Sequence, residues 1–426
     1  MRPDLVAVLS DSSLRDHTEE CTLLLSRSFP DEQRPEWVET FSKEALQADE
    51  APEAEAPAKA RDIVVKLVQA TPGLVEGTDR EMEGLFNLLM SLVAKYIQED
   101  DETYAKCFRH LARVVGDASS PTASERSVVK YRILANLFNT LSTNSPLRLE
   151  MFETLLALAS TNGDMDFMEA ALQTLPTWLT EWDVSMEEKE ACLARVAEAL
   201  QTEECGPEYV DKAYEYELLH LRFLSGESSL SKDRRVMAAE TALANILRLP
   251  KLFEMEEVLH VPVTTELGAS PILTLLKIVV GGTRADYEAW AKSSEGGQTL
   301  QKLSLSDDEL RRKMRLLDLA SLCARSVSSE VSYEDMAKVL DVPVDDVESW
   351  VIDVIRAGLV SGKLSQVTQS FRVYRSTYRA FEKAQWELLE QRLTQWQSSI
   401  QKLLTTMSQA PTQVPTALAD EAQATA

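Results

Sequence analysis

The sequence predicts a mainly α-helical chain: an irregular, solenoid-like helical-repeat arm, then a winged helix, then one long C-terminal helix. Three observations predict it. Apolar residues recur at three- and four-residue spacing in segment after segment between 62 and 303. After Ser304 the segments shorten and two strand-like runs appear. The last segment carries a heptad seam. Composition agrees, with only 14 glycines in 426 residues and many windows rich in Leu, Ala, Glu and Lys.

Residues 1–60 hold 14 acidic and 6 basic side chains, a net of −8. A short helix is expected near 37–46. The run ADEAPEAEAPAK over 48–59 offers nothing to bury and is expected to be an exposed, disordered linker. The arm follows over 61–304. Helical periodicity is clear at 82–97, 103–115, 125–141, 147–159, 164–180, 187–200, 209–224 and 233–249, and Ser185 with Glu188 has capping-box spacing. Short connections make neighbouring helices antiparallel, and stacked pairs make a solenoid. No strict repeat period is present.

The winged helix is placed at 305–376. Ser306 and Glu309 open a helix through Met314, Leu317 and Leu322, and Ser332 starts a second over Tyr333–Leu340. A third runs over 344–357 and stops at Gly358. Its stripe of Val347, Trp350, Val351 and Val354 should face the core. Runs 359–367 and 371–375 then read as a hairpin with one edge open to a neighbouring sheet. Lys363 or Val373 is expected on that edge. The last helix spans about 377–407. Trp386, Leu389, Leu393, Trp396, Ile400, Leu403 and Met407 follow at alternating steps of three and four, one narrow apolar face among polar neighbours. The tail over 408–426 is rich in Pro, Thr and Ala and is expected to be disordered.

Charge and motif content narrow the function. A net charge of −25 repels polyanions at long range and favours protein partners. The third helix of the winged module bears Asp345, Asp346, Glu348 and Asp353 against Arg356 alone, the wrong sign for a DNA-reading helix, so sequence-specific DNA binding is not expected. Arg372, Arg375, Arg379 and Lys383 make the following region more basic. The four histidines, His17, His110, His220 and His260, have no metal-ligand spacing, and there is no HExxH or CxxC. Gly281-Gly282 leads into Thr-Arg-Ala-Asp, not a phosphate loop, and no GxSxG elbow occurs. No catalytic residue, cofactor or metal is expected. Five scattered cysteines suggest a reducing compartment, and the most apolar run, 272–280, contains Lys277 and is too short to span a bilayer. A cytoplasmic protein without membrane association is expected.

Several stretches carry a family resemblance. PILTLLKIVV over 271–280 followed by Tyr287 resembles the helix pair that precedes the winged helix in PCI-domain scaffold subunits, with the PCI module then covering about 205–376. KMRLL at 313–317, DDVE at 345–348 with VID at 351–353, GKLSQ at 362–366 and the stretch from Phe381 to Trp386 resemble the subunit M family of eukaryotic translation initiation factor 3. The seventh subunit of the COP9 signalosome is similar in architecture and is the alternative. The resemblance implies a non-catalytic scaffold that joins other PCI and MPN subunits through the winged-helix sheet edge and a bundle of C-terminal helices. It also implies an indirect connection to the small ribosomal subunit in recruiting mRNA and initiator tRNA.

Overall fold

A computed structural model describes residues 13–52, 54–119, 123–201, 209–226, 230–379 and 383–409. The chain divides into two units. The first comprises 1–252, 258–274 and 298–306, and the second 253–257, 275–297 and 307–426. The division is therefore interleaved around 253–306 and does not fall at one point near 304, because helices in this stretch contribute residues to both cores.

The first unit opens with α1 (Leu14–Leu25), α2 (Arg34–Asp49), α3 (Ala56–Gln69) and α4 (Asp79–Tyr96). Helix α1 is absent from the sequence expectation because its buried face mixes His17, Thr18, Cys21 and Thr22 with Leu14 and Leu25. It has a capping box, Ser13 with Asp16. Another opens α4, where Glu81 accepts from Thr78 and from Arg27, which hold its carboxyl down at about 2. The expected linker over 48–59 is corrected in its order and not in its exposure: 48–49 end α2 and 56–59 open α3, while every described residue of the run except Ala48, Ala51 and Ala56 is exposed. Pro57 sits in the first turn of α3, where its missing N–H has no intrahelical acceptor to lose.

Helices α5 (Glu102–Gly116), α6 (Ser127–Thr140), α7 (Leu147–Asn162), α8 (Glu169–Glu181), α9 (Met186–Ala199), α10 (Val210–Gly226) and α11 (Lys232–Arg248) continue the array, with boundaries close to those expected. The capping box of Ser185 and Glu188 is present at α9. Each helix packs on its sequence neighbour or the next but one, as in α3 on α5, α4 on α6 and α5 on α7. That is how a stacked array covers one amphipathic face with another. Short helices α12 (Glu256–Leu259) and α13 (Pro262–Glu266) follow.

A buried polar brace ties three of these helices. Glu190 of α9 accepts from His220 of α10 at 3.3 Å and from Arg234 of α11 at 3.0 Å. Glu217 of α10 accepts from Gln201 at 3.0 Å and Asn245 at 2.8 Å, and its other oxygen lies 3.9 Å from His220 Nδ1. Burial lowers the His220 pKa, but Glu190 and Glu217 overcome it and raise the net value.

In the second unit α14 (Pro271–Gly281), α15 (Arg284–Ala291) and α16 (Ser294–Lys302) contribute all or part of their length. The winged helix comprises α17 (Asp307–Arg325), β1 (Glu330–Ser332), α18 (Tyr333–Leu340), α19 (Val347–Arg356), β2 (Val360–Ser365) and β3 (Ser370–Ser376). Its sheet has three antiparallel strands in the order β1-β3-β2, one more than the expected hairpin. Strand β1 is three residues long, too short to show alternation. Leu319 and Cys323 of α17, Met336 and Leu340 of α18, Val347, Val351 and Val354 of α19, and Phe371 and Val373 form the core. Gly358 at φ 76° ends α19 with the Leu359 amide bonded back to Val354. Trp350 faces the same core as expected but only half-buried, at the margin of the face centred on Val347, Val351 and Val354 and with the Arg315 guanidinium over its ring. The last helix, α20, is described over Lys383–Gln409; 377–379, expected to open it, are not helical, and 380–382 and the expected tail from 410 onward lie outside the described residues.

The brace predicts a pH-dependent contribution. Because the folded pKa of His220 is raised, its stabilisation is full below the unfolded value of about 6.5 and is lost as pH rises through the folded value. His220→Gln should cost about 1.5–3 kcal/mol at pH 6. In thermal melts the gap between parent and variant should narrow toward pH 9, and a gap constant from pH 6 to 9 would show that His220 is neutral throughout.

Candidate protein interface

The wing has one long edge. Strand β3 is central, and β2 pairs with β3 alone. Val373, expected on the open side, is fully buried, donates its amide to Ser329 at 3.1 Å and accepts from Ser328 at 2.9 Å. It faces β1, so its assignment to the edge is corrected. The missed strand β1 is what places β3 inside the sheet.

Register then settles the outer edge. Tyr333 donates to the Gln369 carbonyl, so 369 and 373 both direct backbone groups toward β1. By alternation Arg372 directs its groups toward β2, opposite Lys363. Lys363 thus lies on the edge strand, but its own amide is committed to the ladder. Among the described residues, the donors and acceptors left free on the outer side belong to Gly362 and Leu364. Gly362 is constrained, since a Cβ there would fall 2.3 Å from the Arg372 carbonyl oxygen and 2.5 Å from the Phe371 ring.

Beyond β3 the chain is pinned before α20 begins. The Arg379 guanidinium donates to Asp318 of α17 at 3.2 Å and to the Gly282 carbonyl. The second Asp318 oxygen accepts from the Arg284 amide at 2.9 Å, so one carboxylate joins the start of α15 to the root of the last helix. Burial pulls the Arg379 pKa down against the opposing pull of Asp318.

Helix α20 brings Trp386, Leu389, Leu393, Trp396, Ile400, Leu403 and Met407 onto one side, and every one of them is exposed, from 39% to 74%. Leu404, also exposed, flanks Leu403 and widens this face. It was missed because it falls beside the heptad positions, although an apolar residue at a flanking position is itself a signal. Lys383 and Glu387 form an i,i+4 pair at 3.7 Å. Every other described helix of eight or more residues has a buried or half-buried apolar residue along it; α20 differs in exposing its whole seam.

The acidic third helix is braced internally. Glu348 accepts from Tyr333 at 3.1 Å and Gln366 at 2.8 Å, and Asp353 accepts from Arg312 at 2.7 Å.

Residues 297–375 match the family model of the PCI domain, and residues 379–407 match that of the C-terminal helix of eIF3 subunit M. A protein named eukaryotic translation initiation factor 3 subunit M from Aspergillus oryzae is 33% identical over 369 residues, covering 85% of this chain and 77% of that protein. The chain belongs to the subunit M family of eukaryotic translation initiation factor 3. The same name is carried by relatives from Pyricularia oryzae, 31% identical over 82% of this chain and 80% of the relative, and from Coccidioides immitis, 32% identical over 81% and 74%. These relatives bear the initiation factor's name and not the signalosome's. The PCI match begins at 297, later than the expected 205, so it spans the winged helix and the helix just before it. The family's C-terminal helix coincides with the exposed seam.

The register makes a residue-level prediction. In the isolated chain the Lys363 amide should exchange slowly with deuterated water and the Leu364 amide quickly. Protection at Leu364 together with fast exchange at Lys363 would reverse the edge assignment.

Proposed function

We propose that this chain is a non-catalytic scaffold subunit that helps assemble initiation factor 3 in the cytoplasm, and thereby supports recruitment of mRNA and initiator tRNA to the small ribosomal subunit. The observation that carries the reading is the exposed seam of α20. The helix is 27 residues and about 40 Å long. Burying seven large apolar side chains is worth on the order of 10 kcal/mol before ordering costs are subtracted. The 3.5-residue repeat specifies the partner as other helices, packed knobs into holes.

The outer edge of β2 provides a second contact of a different kind. Gly362 and Leu364 offer main-chain groups to a strand of a neighbouring sheet, a mode that needs only another open edge. Other PCI subunits fit that edge, and PCI and MPN subunits together fit the helix. The PCI match and the naming of the relatives support a scaffold over an enzyme.

Replacing Trp396 and Ile400 together with Glu tests the helix. Both side chains are exposed, so the isolated variant should keep the parent's circular dichroism and melting temperature within about 0.5 kcal/mol of stability. It should fail to co-purify with the complex when expressed in place of the parent. A variant that unfolds would show that the seam is internal core; one that assembles normally would show that the seam is not the contact.

A further inference from the structure

The outward face of the wing sheet is a separate surface from its edge. Phe371 and Val373 point into the core, while Arg372 points out. A register shift opposite Ser361 and Gly362 gives β3 one extra residue. Such a bulge lets two successive side chains emerge on one side, and Tyr374 and Arg375 are both exposed. Lys363 stands directly opposite Arg372 on β2, and Glu330 opposite it on β1. The face therefore gathers three cations and one carboxylate around an aromatic ring that is 57% exposed.

This is unusual in a chain of net charge −25. Lys363, Arg372 and Arg375 form no ion pair with any described residue, unlike Arg312, Arg284 and Arg311 of the same unit, which are paired to Asp353, Asp341 and Asp307. At physiological ionic strength charges beyond about 8 Å are largely screened, so the local cations set the potential at this face. Unpaired cations call for an anionic partner. An exposed tyrosine among them adds a stacking platform for nucleobases.

We propose that the outward face of the wing sheet binds single-stranded RNA, with Lys363, Arg372 and Arg375 on phosphates and Tyr374 stacked on a base. The choice of RNA over other single-stranded polyanions rests on the reading that the chain serves a translation factor. The edge of β2 and the seam of α20 stay free for subunits, so scaffolding and RNA contact use different atoms.

Fluorescence anisotropy of a labelled 20-nucleotide uridine RNA, titrated with the full chain between 30 and 150 mM KCl, tests this. Three phosphate contacts predict a slope of about 2 for log Kd against log salt. R372E/R375E should weaken binding at least tenfold and flatten the slope. Tyr374→Ala should weaken it roughly fivefold or more with the slope kept, and Tyr374→Phe should bind as the parent does. K363Q/R375Q provides the same charge test if the double Glu variant is insoluble. Co-purification of R372E/R375E with the complex should be unchanged, and the seam variant W396E/I400E should bind RNA normally. RNA loss therefore reports on this face alone, and assembly loss on the scaffold reading. Absent binding, or affinity indifferent to these substitutions, overturns the proposal. So does displacement of the RNA by poly-glutamate at equal charge, which would assign the face to an acidic protein.

Discussion

A helix that is apolar along one side must cover that side, and most of this structure follows from meeting that constraint repeatedly. In the first unit each helix is covered by its neighbour or by the next but one. No regular sequence repeat is needed, because the geometry asks only that the facing stripes be apolar and fill the gap. In the second unit α17, α18 and α19 close over one face of a three-stranded sheet. The constraint goes unmet in α20, where seven heptad side chains and Leu404 stay in water. That departure over one 27-residue helix of the second unit is what the proposed subunit contact rests on.

The winged helix anchors the chain just ahead of that helix. Asp318 is the pivotal group, since its two oxygens hold the Arg284 amide and the Arg379 guanidinium. The same carboxylate thus fixes the start of α15 and the segment just before α20. The third helix, which reads DNA in many winged helices, has a different character here. It is acidic, and Glu348 and Asp353 are bonded within the domain. What the wing offers instead is a main-chain edge on β2 and a cationic, aromatic outward face, two surfaces separated by the geometry of a single strand pair.

Most helices of the arm were legible because long amphipathic periodicity survives without knowledge of tertiary contacts. The failures have specific physical causes. Helix α1 buries His17, Thr18 and Thr22, polar types that hide an inward face. The run over 48–59 looked disordered because it offers nothing to bury, whereas a helix can start on Pro57 and take its buried face from the residues that follow, Ala60, Ile63 and Val64. Strand β1 is three residues long, and missing it turned Val373 from a central residue into a supposed edge. Spacing put Trp350 on the core face but did not show that smaller valines occupy its centre and leave the ring half-buried at the margin. Of the candidate interface residues, the exposed α20 face could be read because its spacing is local to one helix. The edge could not, since which amides face outward depends on a register that no local pattern encodes.

The central claim is that the α20 seam is open in the isolated chain and covered in the complex. Hydrogen–deuterium exchange followed by mass spectrometry, on peptides spanning 383–409, measures this in the native protein without substitution. An isolated helix that lacks tertiary support opens readily. These amides should therefore exchange rapidly in the free chain and slow by orders of magnitude once the chain is incorporated into initiation factor 3. Equal, fast exchange in both states would contradict the account, as would strong protection in the free chain.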